Sequence, residues 1–128
     1  MSFKLEREKT DLTPYVFINE ANGTGYMKFE GESYHENIFE FFKEIREWLT
    51  GYLKSSFDSF TFDCELIYFN SSSVKVLLGM LLEMDNSDNA ENITVNWITT
   101  KNNRIIIECG EDFEEDLEKL TFNLITNQ

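Results

Sequence analysis

Three observations predict an α/β domain, a mixed central sheet with helices packed on it in the order β-β-α-β-α-β-α-β. Two short strand-like runs open the chain around an Asn-Gly turn. From Ile38 the apolar residues recur at three and four positions instead of two. Strand-like and helix-like segments then alternate to the end, a pattern that implies parallel neighbouring strands joined through helices. The sequence has 128 residues and 41% hydrophobic content, with twelve Phe, five Tyr and two Trp, enough to fill one core. No repeat, proline-rich linker or low-complexity stretch divides it, so residues 1–128 read as one domain, with residues 1–12 a flexible N-terminus.

"YVFIN" (Tyr15 to Asn19) and "GYMKFEG" (Gly25 to Gly31) are the opening strands, and "EANGTG" between them supplies the positive-φ positions of a hairpin. Beyond Glu36, residues Ile38, Phe41, Phe42, Ile45, Trp48, Leu49, Tyr52 and Leu53 form one stripe of an amphipathic helix that stops near residues 51–56. Phe60, Phe62, Cys64, Leu66 and Tyr68 share one parity of the next strand, and Ile67 and Phe69 make its other parity apolar at the end. That strand is expected to finish buried, with Tyr68 and Phe69 in the core. Val74, Leu77, Leu78, Leu81 and Leu82 give a second helix, ended by the turn formers of "MDNSDNAEN". "ITVNWITT" is a further strand. Ile106, Cys109, Phe113, Leu117 and Leu120 are spaced for a third helix, although Gly110 inside it costs ~1 kcal/mol of propensity. "TFNLIT" closes the chain as a last strand.

Charge narrows the function classes. Acidic residues number 24 against 11 basic ones, a net charge of −13 that repels nucleic acid and anionic membranes and favours basic protein surfaces. The N-terminal residues carry charges where a secretory leader would be apolar, and no run is long enough to span a membrane, so a cytoplasmic protein is expected. Cys64 and Cys109 lack CxxC or zinc-ligand spacing and read as reduced, buried thiols. Enzymatic chemistry lacks its parts. His35 is the one histidine, "NSSSV" has no nucleophile-elbow glycines, and neither GxGxxG nor GxxxxGK[ST] occurs. The acidic run from Glu111 to Asp116 reads as a solvated helix face, not a metal site. Neither a cofactor nor a metal is expected.

What remains is "YFNSSSVK". Asn70, Ser71, Ser72 and Ser73 lie at the carboxyl end of a strand, where functional groups gather in parallel α/β folds, and they open a helix. One of them must be the N-cap, which explains one or two of the four polar residues. A phosphorylated serine there would gain about −1.5 to −2 charges beside free N–H groups and the positive end of the helix dipole. Capping and switching both stand as readings of the turn.

At this point the sequence resembles the SiaC family of bacterial regulatory phosphoproteins. Thr13-Pro14, "GESYHEN" (Gly31 to Asn37), "LIYFNSSSVK" (Leu66 to Lys75), Val95-Asn96-Trp97 and "ECGEDF" (Glu108 to Phe113) follow family motifs in order. The resemblance implies a fold similar to the STAS-like anti-sigma-factor antagonists. It further implies a non-enzymatic partner switch used in cyclic-di-GMP signalling. In that family a Ser/Thr-specific, histidine-kinase-like ATPase phosphorylates the hydroxyl after the Asn of Tyr-Phe-Asn, a PP2C-type phosphatase removes the phosphate, and the unphosphorylated form activates a diguanylate cyclase. By position the acceptor is Ser71, with Ser72 and Ser73 as alternatives. Tyr34, Glu36, Asn37, Asn70, Ser72 and Lys75 would surround it. The competing reading is a constitutive acidic interaction domain without phosphorylation.

Overall fold

Alternating apolar residues and glycine-marked turns produce six strands in the computed structural model of the chain, which describes residues 2–34 and 37–127. They are β1 (Phe3–Arg7), β2 (Tyr15–Ala21), β3 (Thr24–Ser33), β4 (Ser59–Phe69), β5 (Ile93–Thr100) and β6 (Thr121–Asn127). The helices are α1 (Ile38–Leu53), α2 (Ser71–Asp85) and α3 (Arg104–Asp116), with a 3-10 turn at Ala90–Asn92. Spatial order in the sheet follows sequence order. The first two pairings are antiparallel and the last three parallel. Since the order advances in one direction through three parallel crossovers, right-handed connections put all three helices on the same face.

That face is the core, where Val16, Ile18, Met27, Phe29, Phe60, Phe62, Val95 and Trp97 meet Ile38, Phe42, Ile45, Leu49, Leu77, Met80 and Leu81. The other face is open and polar. A hydrogen-bonded ladder crosses it: the Tyr26 hydroxyl donates to Asp63 Oδ2 at 2.8 Å, Asn96 Nδ2 to Asp63 Oδ1 at 2.8 Å, and Asn123 Nδ2 to Asn96 Oδ1 at 3.0 Å. Partial burial, then the bond to Asp63, raise the Tyr26 hydroxyl pKa well above its ordinary range. The hairpin turn is Asn22-Gly23, with φ of 55° and 82° as a primed two-residue turn requires, while Gly25 already belongs to β3.

Four differences from the sequence reading have physical causes. The N-terminal segment is not a loose arm over residues 1–12, because Phe3–Arg7 pairs with β2 as an additional strand. Phe3 stacks on Trp48 at 5.6 Å, and Arg7 donates to the Phe41 carbonyl at 3.0 Å and pairs with Glu44. These partners are distant in sequence, and five residues with alternating charge carry little strand signal of their own.

The end of β4 does not finish wholly buried. Gly31 pairs with Leu66 and Glu32 with Tyr68, so Ile67 is bulged out of the register. Gly31, at φ 115°, takes a backbone conformation that other residues rarely adopt. The slip inverts the parity: Phe69 goes inward, whereas Ile67 is 62% and Tyr68 42% exposed. The α2 stripe is also rotated. Val76, Leu77, Met80, Leu81 and Met84 are buried, while Val74 and Leu78 pack at its margin.

Helix α3 ends at Asp116, leaving Leu117 and Leu120 in the link to β6. The buried Asp85 carboxylate explains this, since it accepts the N–H groups of Glu118 (3.0 Å), Lys119 (2.7 Å) and Leu120 (3.0 Å). Gly110, costly in an isolated helix, is required by packing: a Cβ there would lie 2.5 Å from Trp97 Cδ1.

Desolvation opposes ionisation of Asp85, but the three N–H groups and the Lys119 charge outweigh it and hold the carboxyl below its usual range. Its folded pKa is depressed, so its contribution is complete above the unfolded value of about 3.9 and is lost as pH falls through the folded value. Asp85→Ala should cost about 1.5–3 kcal/mol at neutral pH by urea unfolding. Asp85→Asn should flatten the acid limb of stability below about pH 4.

Candidate functional site

Because β3 and β4 are parallel, both leave the sheet at the same end, with Ser33 and Phe69 as register partners. The chain therefore enters α1 through Tyr34 and α2 through Asn70 side by side. Asn70, at φ −86° and ψ 174°, is the N-cap of α2: its Oδ1 accepts the Ser73 N–H at 2.9 Å. The Asn70 N–H donates to the Ser33 carbonyl at 3.0 Å.

The three serines have separate fates. Ser73 is fully buried, its hydroxyl donating to the Ser33 carbonyl at 3.1 Å while the two hydroxyl oxygens lie 2.7 Å apart. With the Ser73 proton on that carbonyl, the Ser33 hydroxyl is the donor between the two oxygens. Ser73 is thus closed to a kinase in the folded chain, and Ser72 is half-buried. Ser71, the first residue of α2, is exposed. N–H groups in a first helical turn have no intrahelical acceptor, and they sit at the positive end of the helix dipole. The first turn of α2 holds no acidic residue, although the chain has 24. Lys75 is exposed one turn on, where its ammonium makes no ion pair among the described residues.

Tyr34 and Tyr68 lie against each other beside this turn, ring centroids 4.8 Å apart. The Tyr34 N–H donates to the Leu12 carbonyl at 2.8 Å, and removal from water, then Glu32, raise its hydroxyl pKa. Asn37 is the N-cap residue of α1, and its carbonyl accepts the Phe41 N–H at 3.2 Å. His35 and Glu36 lie outside the described residues. Of the sequence-chosen set, the fold thus gathers Tyr34, Asn37, Asn70, Ser71 and Ser72 at one end of the sheet, with Lys75 just beyond.

Sequence reasoning missed an apolar rim. Leu12, Phe39, Ile67, Tyr68 and Ile105 are 42% to 71% exposed, and all fall at this same end. Leu12 precedes β2, Phe39 and Ile105 are in the first turns of α1 and α3, and Ile67 and Tyr68 are at the bulge. Their signal was faint: Phe39 and Ile105 sit off their helices' buried stripes, whereas the bulge depends on pairing with β3. Ile67 stands between two open hollows, one lined by Lys9, Asp11 and Glu32, the other by Ile98, Thr100 and Asn103.

No three His, Cys, Asp or Glu side chains converge as metal ligands among the described residues. Both cysteines are free. Burial pushes the Cys109 thiol up to about 11 and the enclosed Cys64 thiol further, so neither is a ready nucleophile.

The model of the SiaC family of regulatory phosphoproteins matches residues 7–127. The chain belongs to the SiaC family. Among curated relatives is an uncharacterised Pseudomonas aeruginosa protein (strain UCBPP-PA14), 27% identical over 93 residues, which are 72% of this chain and 74% of that one. The crystal structure of apo-SiaC from P. aeruginosa superposes with a TM-score of 0.84 at 25% identity, covering 98% of this chain and 99% of the other. A chain in the crystal structure of the diguanylate cyclase SiaD with its activator SiaC, also from P. aeruginosa, has the same fold. There the TM-score is 0.79 at 24% identity, covering 96% and 99% of the two chains. Within this SiaC-family fold, the motifs "GESYHEN" and "LIYFNSSSVK" run through the two adjacent strand ends joined at Ser33.

The Ser33–Ser73 bonds are a structural tie, and removing the Ser73 hydroxyl takes away both a donor to the Ser33 carbonyl and the acceptor of the Ser33 hydroxyl in the core. Ser73→Ala is expected to lower unfolding free energy by about 1–3 kcal/mol. Ser71→Ala, at an exposed position, should change it by less than about 0.5 kcal/mol. Urea titrations of the two variants make the comparison.

Proposed function

We propose that this chain is a non-enzymatic bacterial signalling switch, in which reversible phosphorylation of Ser71 controls docking on a partner enzyme. The reading is carried by one observation: Ser71 is an exposed hydroxyl at an acid-free helix N-terminus, beside a rim of exposed apolar side chains. Unmodified, that rim is a surface able to bury apolar area against a partner. A phosphate adds about −1.5 to −2 charges, accepted locally by the helix end and by Lys75 but unfavourable in an apolar interface or opposite an acidic one.

The proposed partners are those that resemblance to the family implies. A histidine-kinase-like Ser/Thr kinase would add the phosphate and a PP2C-type phosphatase would remove it. A diguanylate cyclase is the proposed effector, in keeping with the SiaD–SiaC complex. Tyr34, Glu36, Asn37, Asn70 and Ser72 are the proposed surround, with Leu12, Phe39, Ile67, Tyr68 and Ile105 added to it. Action in the cytoplasm belongs to the same proposal. Among the described residues, no helix is long and apolar enough to cross a membrane.

Incubation with the cognate kinase and ATP should add one phosphate, and peptide mass mapping should place it on Ser71. Ser71→Ala should remain unmodified and bind the cyclase as the unmodified protein does. Ser71→Asp or the phosphoprotein should bind at least tenfold more weakly by calorimetry. Full modification of Ser71→Ala would overturn the assignment. Equal cyclase affinity of Ser71→Ala and the phosphoprotein would favour the constitutive interaction domain instead.

A further inference from the structure

The sheet has two open edges, and they are built differently. β1 carries Lys4, Glu6 and Arg7 within five residues, the kind of charged edge that discourages pairing with another strand. β6 reads TFNLITN, seven residues with neither charge nor proline, in a chain of which 27% is charged. It pairs with β5 along its whole length, from Thr94 and Thr121 to Thr100 and Asn127. Its backbone is therefore held extended. Its far side has no strand partner among the described residues.

Acidic side chains overlook this edge. Helix α3 lies on β5 and β6, with Gly110 against Trp97 and Leu124. Ile106, Gly110 and Phe113 are its buried stripe, and Cys109 packs against the core on the flank nearer Cys64 of β4. By the helical period, Glu111 and Glu114 then fall on the opposite flank, toward the outer side of β6, and both are exposed. Ile125, 37% exposed, adds an apolar contact on the open face.

We infer that β6 is a docking edge for an extended segment of a partner protein with alternating apolar and basic residues, which adds a seventh strand to the sheet. Main-chain hydrogen bonds would supply the common binding energy of strand addition, and the acidic flank would select basic side chains. A second copy of this chain fits the edge poorly. Two-fold pairing of β6 with itself would bring Glu111 and Glu114 of both molecules together, each molecule already at −13. The inference is independent of Ser71 and its modification.

The test uses the full chain and two synthetic heptapeptides, one alternating valine and lysine and the other valine and glutamate. NMR titration should show saturable binding of the lysine peptide, at least tenfold tighter than the glutamate peptide and weakened at least fivefold by 0.5 M salt. Backbone amides of residues 121–127 should gain protection from hydrogen exchange. Ile125→Lys should abolish binding, and the surface double variant Glu111→Gln/Glu114→Gln, which leaves the strand intact, should weaken it at least fivefold. The proposal is overturned by equal binding of the two peptides, by new protection confined to other residues, or by unchanged binding in both variants. A concentration-dependent dimer that Ile125→Lys disrupts would overturn it in favour of self-pairing.

Discussion

The Ser33 carbonyl holds the end of β3 to the start of α2 by accepting both the Asn70 N–H and the Ser73 hydroxyl. Everything distinctive about this end of the molecule depends on that tie. Parallel pairing brings the two strand ends together, but a parallel register alone leaves the helix free to start at several angles. Two bonds to one buried carbonyl, with a third between the hydroxyls, leave far fewer choices. Serine is suited to the position because it is small enough for a site without exposed surface and has one donor and two lone pairs to spend there. Ser71, two residues earlier, is turned outward by the same helical start.

Helix α2 is fastened at both termini. Its last residue, Asp85, is a carboxylate at the negative end of the dipole, a placement that is unfavourable for the helix by itself. The three N–H groups between α3 and β6 compensate, and they make Asp85 the reason α3 stops where it does. A helix bound to the sheet at one end and to the following connection at the other is a stiff platform. For the proposed switch, stiffness would mean that an added charge is felt at the surface and not absorbed by rearrangement of the first turn.

Charge is distributed to the same effect. The excess of acid keeps like-charged surfaces apart, yet the first turn of α2 is without acid and β6 is without any charge. At both places the general repulsion is relaxed. One carries an exposed hydroxyl among apolar side chains, and the other an extended backbone along an open edge. The first lies at one end of the sheet and the second runs along its edge, and Ile67 and Asn127 line one hollow where they meet.

Periodicity and turn chemistry were enough to read three helices, five of the six strands, the Asn22-Gly23 hairpin and the polar turn at residues 70–73, because each is decided within a few neighbouring residues. Motifs were likewise enough to suggest the family, and Ser71 as the residue to watch. Tertiary structure decided what those local patterns leave open. It recruited Phe3–Arg7 into the sheet through Trp48, Phe41 and Glu44, and slipped β4 at Ile67 so that Tyr68 turned outward. It ended α3 at Asp116 by fastening the following N–H groups to Asp85, and it separated three chemically equal serines into buried, half-buried and exposed. Each of those outcomes depends on a partner more than thirty residues away in the chain, to which a local reading is blind.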